Sequence, residues 1–189
     1  MRSILCLALI AALTPALNGC ASPAAGGGKT TTVADERRTP RDYLDDEQIE
    51  LHGLNRMHEL FPQPSVSVSV TSVNHKVLLT GQAPDEATRA KIQETIKSIP
   101  KVDTVYNQIT LGGVESMASE VKDSAITANV KTRLLNGSGV NFIHVKVVTE
   151  GGVVYLMGLL THSEADAAAQ TAATTAGVLR VVKLIEYTD

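Results

Sequence analysis

One stretch of this chain occurs twice, and that duplication constrains the fold more than any other feature. Residues 77–87 recur 77 positions later as residues 154–164, each as a short apolar run, a glycine and a polar turn that opens a helix. A strand joined to a helix, used twice, predicts two copies of one small domain. We expect the two glycines, Gly81 and Gly158, to let the strand turn tightly into its helix.

The first copy begins with a predicted helix that runs from Asp45 to Leu60, with Asp45 or Asp46 as its cap. Pro62 follows and cannot continue a helix. Residues 66–70 then alternate valine with serine, which predicts a strand with one buried face.

The rest of the first copy predicts a hairpin, a second helix and a closing strand. Asn74 and His75 separate the two strands, so they form the hairpin turn. A helix is expected over residues 84–98, with Pro84 in its first turn, and a strand over residues 102–111. The order is helix–strand–strand–helix–strand.

The second copy repeats this order after a joint at residues 112–116. A helix over 120–135 directs Ile126, Val130 and Leu134 inward, and Ile143 begins the next strand as the counterpart of Val66. An alanine-rich helix follows over residues 163–176 with Ser163 as its cap, and a strand over residues 179–187 ends the chain. The sequence therefore predicts an α+β protein with tandem αββαβ domains at residues 44–112 and 113–189.

The first twenty residues predict a secreted, lipid-anchored protein. Arg2 precedes a short apolar run that ends near Leu13, about half the length that spans a bilayer. Residues 17–20 resemble a bacterial lipobox, in which Cys20 is acylated; the alternative is an ordinary signal peptide that contains a cysteine. Residues 1–19 are then a signal peptide and residues 20–43 a flexible tether rich in Gly and Thr. Ala21 stands where an inner-membrane retention signal would usually have Asp, so the resemblance to a lipobox points to the outer membrane.

Charge and motifs exclude several classes of function. The formal net charge is −3 and no basic patch is present, which argues against nucleic acid as a partner. The five histidines lack metal-binding spacing, and Cys6 leaves with the signal peptide, so we expect no metal site and no cofactor. No nucleophile elbow or phosphate loop is present, so we expect no catalytic residues.

The remaining prediction from the sequence is a binding surface on the helix at residues 120–135. Small apolar groups and one cation lie off its inward stripe, next to an aromatic residue in the following loop, which suits contact with lipid headgroups. The candidate phospholipid-binding residues are Val121, Ala125, Thr127, Ala128, Lys131, Thr132, Leu135 and Phe142. The alternative is that Val121 and Leu135 pack on the neighbouring domain.

Both copies resemble the BON domain family. The resemblance is carried by residues 66–68, 77–81 and 102–109, and more fully by residues 123–131, 145–147, 154–158 and 178–182. With the lipobox, the chain resembles outer-membrane lipoproteins that have two BON domains. The resemblance implies a mixed three-stranded sheet on two helices in each domain, no catalysis, and a place on the outer membrane facing the periplasm.

The family also implies a function and a site. Its members are associated with phospholipid binding and envelope integrity, and the expected contact with anionic lipid is the helix at residues 120–135. The sequence departs from the family there, because Ala125 stands where a large aromatic would anchor better, and Gly53 stands opposite Val130 in the first copy. The alternative function is a periplasmic protein-interaction scaffold for envelope assembly or peptidoglycan-linked machinery.

Overall fold

Each half of the chain folds in the order that the duplication predicts. The computed structural model describes residues 37–61, 66–113, 117–137 and 139–189. The first half comprises α1 (Pro40–Leu60), β1 (Ser67–Val73), β2 (Lys76–Ala83), α2 (Glu86–Lys97) and β3 (Thr104–Leu111). The second comprises α3 (Met117–Leu135), a 3-10 turn (Phe142–His144), β4 (Val145–Glu150), β5 (Val153–Leu160), α4 (His162–Ala173) and β6 (Arg180–Tyr187).

Both sheets are mixed, with the most deeply buried strand in the centre. β2 pairs antiparallel with β1 and parallel with β3, and β5 pairs in the same way with β4 and β6. The helix between the central strand and the last strand makes the crossover that a parallel pair requires. The predicted α+β class and the tandem αββαβ order are confirmed.

Both faces of each central strand are buried, which explains their unbroken apolar runs. In β2, Val77 and Leu79 belong to the core under the helices, and Leu78 points the other way. In β5, Tyr155 and Met157 share a cluster with Leu78, on the face opposite to the helices. The two sheets therefore pack face to face, with one pair of helices outside each sheet.

Polar pairs surround this apolar contact between the domains. The Asn74 amide donates to Glu186 at 3.1 Å, and Lys76 forms an ion pair with the same carboxylate. At the opposite end, the Gln82 amide donates to Glu150 at 2.8 Å. The hairpin of the first domain thus lies beside the end of β6, and the end of β2 lies beside the second hairpin.

A buried aspartate on the first helix of each domain holds the following hairpin turn. Asp46 accepts the backbone N–H groups of Asn74 at 2.8 Å and His75 at 2.9 Å. Asp123 accepts those of Gly151 at 2.6 Å and Gly152 at 2.9 Å. These aspartates stabilise the turns, because otherwise unpaired backbone donors find a charged acceptor.

The repeated glycines have a different role from the predicted one. Gly81 and Gly158 lie within β2 and β5, not at the turns into the helices. A Cβ on Gly81 would lie 2.0 Å from the carbonyl oxygen of Ser67, and one on Gly158 would lie 1.9 Å from that of His144. Both have φ in the range that side chains disfavour, so glycine permits a close approach between neighbouring strands.

Two helices begin at caps other than the predicted ones. α1 begins at Pro40 with Thr39 as its cap, so neither Asp45 nor Asp46 caps it. α4 begins at His162 with Thr161 as its cap, in a reciprocal pair with Glu164, and not at Ser163. In both cases the threonine side chain accepts the backbone N–H of the acid three residues later. The side chain of that acid accepts the backbone N–H of the threonine.

The two first helices differ in how they meet their sheets. A Cβ on Gly53 would lie 2.9 Å from Cγ1 of Val70, so glycine lets α1 pack closely on β1. Val130, its counterpart in α3, is fully buried. The prediction that Ile143 begins a core strand like Val66 is wrong: Ile143 lies in the 3-10 turn and is half exposed.

Some predictions fall outside the described residues. These are acylation at Cys20, the signal peptide, most of the tether, the break at Pro62 and part of the joint at residues 114–116. Within the described ranges, no helix combines the length and the apolar character needed to cross a bilayer.

Candidate functional site

The side of α3 that faces away from its sheet is apolar and exposed. Asp123, Ile126, Val130 and Leu134 face the core. Six exposed residues, spaced by three or four positions, follow the opposite side and are called here the outer face of α3: Met117, Val121, Ala125, Ala128, Thr132 and Leu135. The exposed fractions of the three largest are 81% for Met117, 70% for Val121 and 60% for Leu135.

Charged side chains flank this face but do not interrupt it. At 3.6 residues per turn, Glu120 and Lys131 fall on the side toward β4, and Lys122 and Arg133 fall on the side toward α4. Arg133 is engaged there, because it donates to the carbonyl of Thr171 at 3.2 Å and to the hydroxyl of Thr175 at 2.8 Å. The outer face is therefore an uncharged stripe with cations along both margins.

Five of the eight predicted lipid-binding residues lie on this face. These are Val121, Ala125, Ala128, Thr132 and Leu135. The alternative that Val121 and Leu135 pack on the neighbouring domain is wrong, because both side chains are exposed.

Thr127 and Lys131 lie on the side of α3 toward β4. They line a groove of about 510 Å³ between the helix and that strand. The Thr127 hydroxyl donates to that of Thr149 at 2.7 Å and so joins the helix to the sheet. Lys131 is exposed and makes no ion pair with another described residue. Lys131 is thus available to an anion beside the outer face, whereas Thr127 is structural.

Phe142 lies in the 3-10 turn beyond the C-terminal end of α3. Asn141 caps this turn through its side chain, which accepts the N–H of Ile143. Phe142 is 47% exposed and Ile143 is 49% exposed. The turn contacts α3, so these side chains extend the exposed apolar surface past the end of the helix.

Sequence reasoning missed Met117 and Ile143. Met117 falls four positions before Val121, so the helical period could have revealed it if the helix had been started earlier. The sequence predicts Ile143 in the core because its counterpart in the first copy is Val66. In the structure Val66 is buried, whereas Ile143 is not. Ile143 lies instead in the 3-10 turn, where it is half exposed.

The corresponding helix of the first domain has the opposite charge. α1 carries the acids Asp42, Asp45, Asp46, Glu47, Glu50 and Glu59 against Arg41 and Arg56. α3 carries Glu120 and Asp123 against Lys122, Lys131 and Arg133. The formal balance is 2 − 6 = −4 for α1 and 3 − 2 = +1 for α3. On this formal balance, which leaves out the ion pairs of Asp46 with Arg38 and of Asp45 with Lys101, an anionic surface is attracted to α3 and repelled by α1.

The described residues contain no group of three or more His, Cys, Asp or Glu side chains placed to bind a metal ion. The carboxylate of Glu164 has a strongly shifted pKa, which is lowered to about 2 by hydrogen bonds from Arg37 and then from Thr161. This pair joins the segment before α1 to the start of α4.

Comparisons with known proteins agree with the duplication. Residues 45–113 and 122–189 each match the BON domain. The outer membrane lipoprotein DolP of Haemophilus influenzae is 34% identical over 185 residues, which cover 97% of this chain and 96% of that protein. A 21 kDa hemolysin of Actinobacillus pleuropneumoniae is 35% identical over 153 residues, covering 79% of this chain and 78% of the relative.

Proposed function

The chain belongs to the BON domain family through both of its halves, and on that premise we propose that it is a non-catalytic outer-membrane lipoprotein that binds anionic phospholipid through α3. Its role is to support the integrity of the outer membrane from the periplasmic side. The observation that carries the proposal is the outer face of α3, an exposed apolar stripe on a helix whose charge is positive.

The stripe has the composition of a helix that rests in a membrane interface. Each fully buried Val, Leu or Met side chain gains about 1.5–3 kcal/mol, and side chains that enter only the headgroup region gain a fraction of that. Lys131 adds about 1 kcal/mol near an anionic surface. Three exposed apolar side chains, Met117, Val121 and Leu135, and one cation thus give weak binding, which suits a module that is already held at the membrane.

Acylation of Cys20 supplies that attachment. The similarity to a protein named as an outer membrane lipoprotein covers nearly the whole chain, and the lipobox lies within it. Sixteen residues, 21–36, separate Cys20 from Arg37, the first described residue. At about 3.3 Å per residue they reach at most roughly 55 Å, which keeps α3 at a high effective concentration near the bilayer.

Vesicle binding by charge variants tests the proposal. The chain from residue 20 with Cys20→Ser is mixed with phosphatidylglycerol-containing vesicles, and the bound fraction is measured by flotation. Val121→Glu and Lys131→Glu should each weaken binding several-fold with unchanged thermal unfolding. Leu51→Glu is the matched control, because Leu51 is 55% exposed on α1. Equal binding by all three variants would contradict the proposal.

A protein-interaction scaffold is the second candidate, and exposed leucines on α1 favour it. Leu44 is 59% exposed, Leu51 is 55% exposed and Leu54 is 49% exposed, and acids lie among them. Such a surface suits a basic amphipathic segment of a protein rather than an anionic membrane. In a strain that lacks the protein, Leu51→Glu would then fail to restore resistance to detergent, whereas Val121→Glu would restore it.

A further inference from the structure

The exposed aromatic residues gather at one end of the molecule. The chain has no tryptophan, two phenylalanines and four tyrosines. Phe61 and Tyr155 are buried and Tyr106 is partly buried. The exposed aromatics are Tyr43, Phe142 and Tyr187, at 40%, 47% and 41%.

Topology places Phe142 and Tyr187 at the same end of the second sheet. Phe142 lies just before β4, which starts opposite Gly158 near the end of β5. Tyr187 is the parallel partner of Leu160, the last residue of β5. Its ring stacks on His162 with 3.9 Å between ring centroids.

Tyr43 joins this end from the first domain. Tyr43 and Arg38 line a groove of about 240 Å³ between the domains, and Ile143 and Lys146 line its other side. Arg38 stacks on the Tyr43 ring at 4.0 Å and forms an ion pair with Asp46. We call Tyr43, Phe142, Ile143 and Tyr187 the aromatic end.

The described part of the chain begins at the same place. Arg37 donates to Glu164 at 2.6 and 3.0 Å and to the carbonyl of Leu159 at 2.9 Å. Both partners lie where β5 ends and α4 begins. Arg37, the first described residue and the one closest in sequence to Cys20, is therefore held beside the aromatic end.

Most of the negative charge at this end is compensated. Asp46 is paired with Arg38, Glu164 with Arg37 and Glu186 with Lys76. Asp189 contacts the ring of His162, and the exposed Glu47 lines the groove beside Tyr43. Arg41, the second residue of α1, has an 82% exposed side chain. Tyrosine, phenylalanine and arginine are the side chains that suit the boundary between water and acyl chains.

We propose that the aromatic end is a membrane-contact surface shared by both domains, on which Tyr43 of the first domain and Phe142 of the second enter the bilayer to which Cys20 is attached. This rests on the proposed function and adds to it, because α1 contributes at its N-terminal end although its overall charge is negative. The occupant is a lipid surface, since the route to the acyl anchor starts there.

Single-tryptophan reporters test the proposal, because the chain has no tryptophan of its own. In the chain from residue 20 with Cys20→Ser, four variants are compared: Tyr43→Trp, Phe142→Trp, Val121→Trp for α3, and Leu51→Trp as the control on α1. Each is mixed with phosphatidylethanolamine–phosphatidylglycerol vesicles whose acyl chains are brominated. We expect a blue shift and quenching at positions 43, 142 and 121, and neither at position 51.

Each other outcome has a distinct meaning. Quenching at 121 or 142 without quenching at 43 would overturn the shared surface and leave the proposed function standing. Quenching at 51 equal to that at 43 would overturn it too, because α1 would then lie along the membrane. No quenching at any position would overturn both proposals. Spin labels at Tyr43→Cys and Leu51→Cys give the same comparison if a tryptophan variant does not fold.

Discussion

Arg37, in the segment before α1, forms an ion pair with Glu164 at the start of α4. Removing this pair tests how much it stabilises the start of the described chain. The guanidinium donates to both carboxylate oxygens, at 2.6 and 3.0 Å, and both side chains are only about one-fifth exposed. Arg37→Gln should therefore reduce the free energy of unfolding and release residues 37–39 from the second domain.

The magnitude follows from the pKa of Glu164. A fall from the ordinary value of 4.5 to about 2 corresponds to about 3 kcal/mol in favour of the ionised carboxylate. Hydrogen bonds from Thr161 supply part of this and survive the substitution. We expect Arg37→Gln to cost about 1–2 kcal/mol, which is more than an exposed surface pair gives.

The sign of the pH dependence is fixed by the same shift. Because the folded pKa is below the unfolded one, the stabilisation is complete above about pH 4.5 and is lost as the pH falls toward 2. Urea unfolding followed by circular dichroism, for the parent, Arg37→Gln, Glu164→Gln and the double variant, gives the coupling free energy at pH 7 and at pH 3. A coupling near zero at pH 7, or one that does not shrink at pH 3, would refute this reasoning.

Three further substitutions test the scaffold by the same unfolding assay. Gly158→Ala should reduce the free energy of unfolding by more than about 3 kcal/mol, because its Cβ would meet the carbonyl oxygen of His144. Gly113→Ala is the control and should change it by less than about 1 kcal/mol, because a Cβ there has no atom within 4 Å. Equal losses would contradict the close approach of the strands. Asp123→Asn should cost about 1–2 kcal/mol by weakening its hydrogen bonds to the hairpin, and faster amide exchange at that turn is the matching sign. Met157→Asp places a charge between the two sheets, so it should lower the free energy of unfolding by several kcal/mol. The radius of gyration measured by X-ray scattering should increase as well. An unchanged radius and stability would argue against face-to-face packing.

The duplication made most of the fold predictable. The helices and strands of one copy predict those of the other. The helical spacing of Ile126, Val130 and Leu134 indicates which side of α3 faces the core. The same spacing places Val121 and Leu135 on the side of the helix that faces away from the core. It does not determine whether a neighbouring domain covers them. The structure shows that none of the described residues buries them.

Other features depend on contacts that a linear pattern does not contain. A glycine after an apolar run is compatible with a turn or with a close strand approach, and only the pairing with β1 and β4 distinguishes them. Arg37 and Glu164 are 127 positions apart and carry no shared motif. The packing of sheet on sheet did leave a signal, since an unbroken run such as that of β5 indicates a strand buried on both faces.

The most direct test of the account is a map of where the protein meets lipid. Amide chemical shifts of the chain from residue 20 with Cys20→Ser are compared with and without nanodiscs that contain phosphatidylglycerol. The account predicts that shifts and line broadening concentrate on the outer face of α3 and on the aromatic end, which includes Phe142 and Tyr43. Purely zwitterionic nanodiscs should cause much smaller changes. Changes centred on the exposed leucines of α1, or spread evenly over both domains, would contradict it.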